Sequence, residues 1–173
     1  PFNPSAQHAS AQAAGVAIVT GDTKVVPRGQ AGGLYLVTTG VGRPMRPSNQ
    51  HPLGMNCIEA GDAVLVSGPI GDHGTAVLLA REEFGLSGSL QSDCANVLPL
   101  VEPIVEMPGL KFLRDPTRGG LATVANEVVR ATGLDVVLDE ADVPIRPEVE
   151  SVCDMLGFDP YFLACEGRVV AIS

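Results

Sequence analysis

Arg114-Asp-Pro-Thr-Arg-Gly-Gly-Leu-Ala122, answered near the end of the chain by Leu163-Ala-Cys-Glu-Gly-Arg168, organises the whole sequence. Both stretches set charged groups beside glycines on a background of apolar runs. That combination can gather backbone amides and side chains around a polyanion such as a nucleotide phosphate. Asp115 precedes a proline and is biased away from helix, while Gly119-Gly120 lets the backbone approach a ligand closely. Leu121 to Ala131 then reads as a helix whose first amides can face a phosphate. A plain turn followed by a helix cap accounts for the same residues without a ligand, and the local pattern leaves both readings open.

Working outward, Leu110 to Leu113 reads as a short strand leading into this turn, and Leu134 to Leu138 as a strand leaving its helix. A helix follows around Pro147 to Leu156, then strands near Tyr161 to Ala164 and Arg168 to Ile172. On the N-terminal side, Asp62 to Ser67 is a strand, Thr75 to Phe84 a helix, and a further helix starts near Asp93 and covers Val97 to Val105, made irregular by Pro99 and Pro103. Ser5 to Gly15 is an alanine-rich helix with a glycine stop. Val16 to Thr20 and Leu34 to Val41 are β-branched runs read as strands. The stretch from Gly42 to Gly61, rich in proline and without periodicity, is the candidate boundary between domains 1–58 and 59–173. Alternating strands and helices suit a parallel α/β sheet, yet the short, proline-broken helices suit an α+β arrangement as well.

The totals narrow the classes. The chain has 173 residues, 45% hydrophobic and 18% charged, a globular profile with enough length to bury a core. A net charge of −9 without a compensating basic stretch argues against nonspecific nucleic-acid binding. No run is long enough to span a bilayer. Four scattered cysteines and three dispersed histidines form no C-x-x-C pair, zinc pattern or disulfide framework, and suggest reduced cytosolic thiols. The opening Pro1-Phe-Asn-Pro, without a methionine, suggests a processed or truncated chain.

Several clusters can carry chemistry. Gly21-Asp22-Thr23-Lys24 follows a strand-like run: Asp22 can hold a metal ion and Lys24 can neutralise charge developing on a phosphoryl group. Taken alone, a hairpin turn with a solvated lysine is the favoured reading, and the spacing is not that of a Walker A loop. In Gly71-Asp72-His73-Gly74, Asp72 suits a helix N-cap, and His73 can contact a nucleotide or exchange protons near neutral pH. Arg118 offers a planar fork of donors for phosphate oxygens, with Asp115 and Thr117 beside it. Asn126 and Glu127, deeper in the helix, read as surface or interface groups. Glu166, oriented just past an apolar run, can serve as a general base if desolvated. Cys165 lacks an adjacent cation to make it a thiolate and reads as packing.

Taken together, Gly21-Asp-Thr-Lys-Val-Val26, Gly68-Pro-Ile-Gly-Asp-His-Gly74, Ser92-Asp-Cys-Ala95, Asp115-Pro-Thr-Arg-Gly-Gly-Leu-Ala122, Asn126-Glu127 and Leu163-Ala-Cys-Glu-Gly-Arg168 resemble, in this order, the hydrogenase maturation factor HypE family. That family lies within the superfamily of aminoimidazole ribonucleotide synthetase, selenophosphate synthetase and thiamine-phosphate kinase, whose other members differ at Thr117-Arg118. The resemblance implies the end of an N-terminal α+β ATP-binding and dimerisation domain followed by a C-terminal α+β domain. It implies a cytoplasmic homodimer that binds ATP with Mg2+ and dehydrates an S-carbamoyl cysteine to a thiocyanate, supplying cyanide to a nickel–iron hydrogenase. Its implied partners are a carbamoyltransferase maturation protein and iron-holding maturation scaffold proteins, with no nucleic acid and no membrane.

Carried onto this sequence, the resemblance makes Glu166 the base and Lys24 the charge stabiliser. It places Asp22, Thr23, Asp72, His73, Asp115, Thr117, Arg118, Gly119 and Gly120 around the nucleotide, with Asp22 also toward the metal. Family members carry further N-terminal aspartates and a C-terminal tail ending in the reactive cysteine. None of the cysteines here matches that tail, so the chain is expected to be an inactive core of the longer protein, its second domain short of its last elements. Other readings are a related ATP-dependent synthetase or kinase, and a noncatalytic dimerisation module.

Overall fold

The computed structural model of the chain describes residues 4–43, 53–81, 85 and 88–173. They fall into two compact units, Pro1–Ser48 and Asn49–Ser173. Part of the proline-rich stretch from Gly42 to Gly61, and the expected end of a helix at Phe84, lie outside the described residues.

The first unit opens with helix α1 (Pro4–Ala13). It closes where the amide of Gly15 donates to Gln12 O at 3.0 Å and that of Val16 to Ala11 O at 2.9 Å, the paired bonds of a glycine-terminated helix. The two runs expected as strands, Val16 to Thr20 and Leu34 to Val41, are not strands among the described residues. Their β-branched composition favours extended backbone. A strand, however, exists only where its N–H and C=O groups meet a neighbour, and Val19 and Val37 stand 89% and 91% exposed.

The second unit is α+β. Its sheet has the order β1 (Val64–Val66), β3 (Val170–Ile172), β2 (Phe112–Arg114), with both pairs antiparallel. The register puts Ile172 between Val64 and Phe112, and Val170 between Val66 and Arg114. Bonds between Ala63 and Ser173 extend one ladder by a residue. Antiparallel pairing decides against a doubly wound parallel sheet. Among the described residues the one parallel contact is an isolated bridge, Ile70 to Ile145.

Helix α4 (Gly120–Thr132) buries Leu121, Val124 and Val128 at the three- and four-residue spacing of one helical face. They pack with Ile70, Phe112, Cys165, Val170 and Ile172 into the core. The unit also holds α2 (Asp72–Arg81), α3 (Leu98–Val105) and α5 (Pro147–Leu156). The helix expected to start near Asp93 begins only at Leu98, whose amide donates to the Asn96 side chain at 3.0 Å. Pro99 sits in the first turn of α3, where no amide bond is lost, and the helix continues through Pro103.

Two expected strands are corrected. Leu134 to Leu138 alternates half-buried and exposed residues as a strand would, and Val136 and Leu138 pack on the core. No ladder partner meets it among the described residues, so it is extended chain and not a strand. Tyr161 to Ala164 begins instead as a 3-10 turn, Pro160–Phe162, because the Asp159 carboxylate accepts the Tyr161 amide at 2.9 Å.

The entry to β2 is clasped from outside. Lys111 Nζ reaches Glu59 Oε2 at 2.8 Å and Asp62 Oδ1 at 2.7 Å. The hydrogen bond from Lys111 holds the Asp62 carboxyl below its usual range, and Asp62 in turn raises the Lys111 ammonium. The depressed carboxyl stabilises the fold above its unfolded value near 3.8 and ceases to as pH falls through its folded value. The raised ammonium stabilises it fully below 10.5 and ceases to as pH rises through its own folded value. Lys111→Met is therefore expected to flatten both the acid and the alkaline ends of melting temperature against pH, and to weaken its salt dependence. Unchanged limbs in the variant would show that the clasp contributes nothing to stability.

Candidate active site

Four of the motifs meet where the chain runs into β3. Cys165 is fully buried; its amide donates to Pro116 O at 3.0 Å, and its sulfur accepts the Gly71 amide at 3.3 Å. The Gly74 amide donates to Ala164 O at 3.0 Å. One residue thus ties the Asp115–Gly120 turn, the Gly71–Gly74 turn and the 163–168 segment together. Burial pushes the Cys165 thiol up to about 11, against the pull of the Gly71 bond, so it stays protonated at neutral pH and packs as expected.

The next residue, Glu166, is exposed and not desolvated as its reading from the sequence alone required, while its backbone is held. Its amide donates to Asp93 Oδ1 at 3.1 Å and that of Gly167 to Asp93 Oδ2 at 3.2 Å. Its carboxylate lies 3.9 Å from His73 Nε2, and His73 Nδ1 shares a 2.8 Å hydrogen bond with Ser92 Oγ. Ser92 Oγ also accepts the Cys94 amide at 3.0 Å. The arrangement is a carboxylate on a fixed backbone, open to solvent on one side and faced by an imidazole on the other. Such a group can take a proton from a bound substrate.

Asp72 differs from expectation. It is the first residue of α2, and the turn is opened by the Thr75 amide donating to Gly71 O. Its buried carboxylate does not cap the helix but accepts from Arg146 Nε at 3.0 Å and Arg168 Nη2 at 3.5 Å. Burial favours this, because a desolvated carboxylate needs cations, and the bond holds the Arg146 guanidinium above its ordinary range. Arg168 also donates to Pro69 O at 2.9 Å and lies 3.8 Å from Asp93. These groups, with residues 89–92 and Glu148, line a polar cleft of about 340 Å³. The partners lie 74 and 96 residues from Asp72 in sequence.

The other expected residues divide. Thr117 Oγ1 donates to Asp115 Oδ2 at 2.9 Å, and Arg118 is exposed with no ion-pair partner among the described residues. Gly120 is spoken for by the chain itself: its amide donates to Thr117 O, and a side chain there would run into the carbonyls of Tyr161 and Leu163. Gly119 is likewise filled by Thr123. Glu127 of α4 pairs with Arg114 of β2 at 2.7 Å, and Asn126 bonds Ala122 O at 2.8 Å within α4. Asp22, Thr23 and Lys24 belong to the first unit and are exposed; Asp22 Oδ1 accepts the Thr23 amide at 2.8 Å. Among the described residues no group of three potential ligands is gathered where it could hold a metal ion. No helix among them is long and apolar enough to cross a membrane.

Asp93 was absent from the expected site although it lies within Ser92-Asp-Cys-Ala95. Apart from that motif, an aspartate beside a serine marks turns of every kind and points to no site.

The family described as AIR synthase related protein, C-terminal domain, matches residues 59–173. The carbamoyl dehydratase HypE of Escherichia coli K12 is 48% identical over 161 residues, 93% of this chain and 47% of that protein. A crystal structure of the hydrogenase maturation protein HypE in complex with ATP superposes with a TM-score of 0.79 at 39% identity, over 95% of this chain and 48% of that one. The structure of a HypE–HypF complex gives 0.83 at 35% identity, over 97% and 54%. The chain spans about half the length of the curated relatives it matches.

Proposed function

This chain belongs to the AIR synthase related family through that family's C-terminal domain, and from that premise we propose that the full-length protein bearing it is an ATP-dependent carbamoyl dehydratase. It converts an S-carbamoyl cysteine to a thiocyanate and supplies cyanide for nickel–iron hydrogenase maturation. The observation that carries this reading is the exposed carboxylate of Glu166, held by its backbone and faced by His73, in a chain 48% identical to a carbamoyl dehydratase.

In this reading residues 1–58 end an ATP-binding domain and residues 59–173 form the second domain. Bound ATP supplies the phosphoryl group that turns the carbamoyl oxygen into a leaving group. Two N–H protons leave the carbamoyl nitrogen, one as the oxygen is phosphorylated and ADP departs, the other as the C–O bond breaks, phosphate departs and the C≡N bond forms. Glu166, open to solvent, takes each in turn and passes the first to water. Lys24, an exposed cation, neutralises charge on the phosphoryl oxygens. Arg118, exposed and unpaired among the described residues, fits a phosphate, with Thr117, Asp115 and the Gly119-Gly120 turn fixing its base. The resemblance gives Asp22 and Thr23 to the metal and the phosphates, Asp22 as one ligand of Mg2+. The described residues do not by themselves compose a magnesium site. Asp72 contributes through the arginines it anchors, and His73 through its contact with Glu166. A homodimer, a carbamoyltransferase partner such as the HypF of the HypE–HypF complex, an iron-holding scaffold and a cytoplasmic setting complete the proposal.

The test is intact mass spectrometry of the full-length protein, carbamoylated by its partner enzyme and then given Mg-ATP. Loss of one water at a tail cysteine, with ADP formed, is the expected result. ATP binding with no mass change would move the function to a sister kinase or synthetase, and absence of nucleotide binding would leave a dimerisation module.

A further inference from the structure

The geometry points to Asp93 as the positioning residue of Glu166, acting through the backbone and not through the substrate; this rests on the reading of Glu166 as the base. The Asp93 side chain is fully buried, and both of its oxygens are used on consecutive amides, those of Glu166 and Gly167. A carboxylate that accepts two adjacent N–H groups fixes the peptide plane between them. The direction in which the Glu166 side chain leaves the backbone is fixed with it.

Two further observations show that this grip is tight. Gly167 packs so closely on the Asp93 backbone that a side chain there would overlap the Asp93 carbonyl oxygen and come within 3.2 Å of the Ala95 amide. Ser92 and Cys94, flanking Asp93, form a turn closed by the Ser92 hydroxyl, and that hydroxyl also holds His73 against the Glu166 carboxylate. One short turn therefore sets both the backbone beneath Glu166 and the imidazole in front of it. Arg168, 3.8 Å from Asp93 Oδ2 and bonded to Pro69 O, balances the buried charge and links the turn to the Gly71–Gly74 loop.

The experiment is a comparison of Asp93→Asn, Asp93→Ala, Glu166→Gln and Glu166→Asp in the full-length protein. It measures kcat for loss of water from the S-carbamoyl cysteine and KM for ATP. Asp93→Asn keeps the shape but turns an N–H donor toward one of the two amides. It should lower kcat about tenfold and Asp93→Ala about a hundredfold, with KM for ATP unchanged, as expected when a reacting group is misplaced by an ångström or less. In the Glu166→Asp background, where the carboxylate is already withdrawn, Asp93→Asn should cost little more, a non-additivity that a general loss of folding would not give. Parental kcat in Asp93→Asn, or fully additive losses in the double variant, would overturn the assignment even while Glu166→Gln is dead. Full turnover in Glu166→Gln would instead remove the base, and the positioning role with it. Should Asp93→Ala fail to fold, Asp93→Asn and its double variant decide.

Discussion

Glu166→Gln in the full-length protein is expected to lose roughly a hundredfold to ten-thousandfold of its dehydration rate, the range that a positioned general base contributes. The substitution is nearly isosteric, and the bonds that hold residue 166 run from its backbone amide and from Gly167 to Asp93. Glutamine leaves those bonds in place, so the loss would be chemical and not architectural. ATP binding should survive, because no basic group is removed. Lys24→Ala should lose roughly a hundredfold to a thousandfold, as does removal of a single donor to developing charge, with the deficit in phosphoryl transfer before any water is lost. Single-turnover measurement of ADP and of cysteine mass separates the two. Retained turnover in either variant would take that residue out of the mechanism.

What the sequence disclosed follows the range of the forces involved. The glycine stop of α1, the helix from Pro147 to Leu156 and the helix after Gly119-Gly120 depend on neighbours within a turn or two, and each formed where local chemistry placed it. Strands depend on distant partners. Asp62 to Ser67 and Arg168 to Ile172 found each other across about a hundred residues. Leu134 to Leu138, with the same composition and alternation, found core to pack on but no ladder. Site residues divide in the same way. That Glu166 lies between a packed cysteine and a close-packed glycine is a local feature of the sequence. Asp72 read as a cap because caps are local, whereas its arginines lie far along the chain. Asp93 was passed over because nothing adjacent to it in sequence reveals which amides it serves.

Gly120→Ala is expected to destabilise the second unit by about 2–5 kcal/mol. Roughly 1–2 kcal/mol comes from a side chain forced into the left-handed region, and roughly 1–3 kcal/mol from overpacking. Gly120 has φ +60°, and an added Cβ would meet the carbonyl oxygens of Tyr161 and Leu163 and come within 2.9 Å of the Phe162 carbonyl carbon. All of these are backbone atoms of the segment that leads to Cys165 and Glu166, so none can rotate aside as a side chain would. Gly119→Ala makes the contrast. Its φ is +78°, but the obstruction is the Thr123 side chain, which has other rotamers, so its loss should be the smaller. Thermal unfolding of both variants measures the difference. If Gly120→Ala melts with the parent, close packing does not demand the glycine, and access for a phosphate becomes the better reason for it. If it melts well below, the Gly-Gly pair is first a requirement of the junction that delivers Glu166. Phosphate recognition at this turn then falls to Arg118 and Thr117.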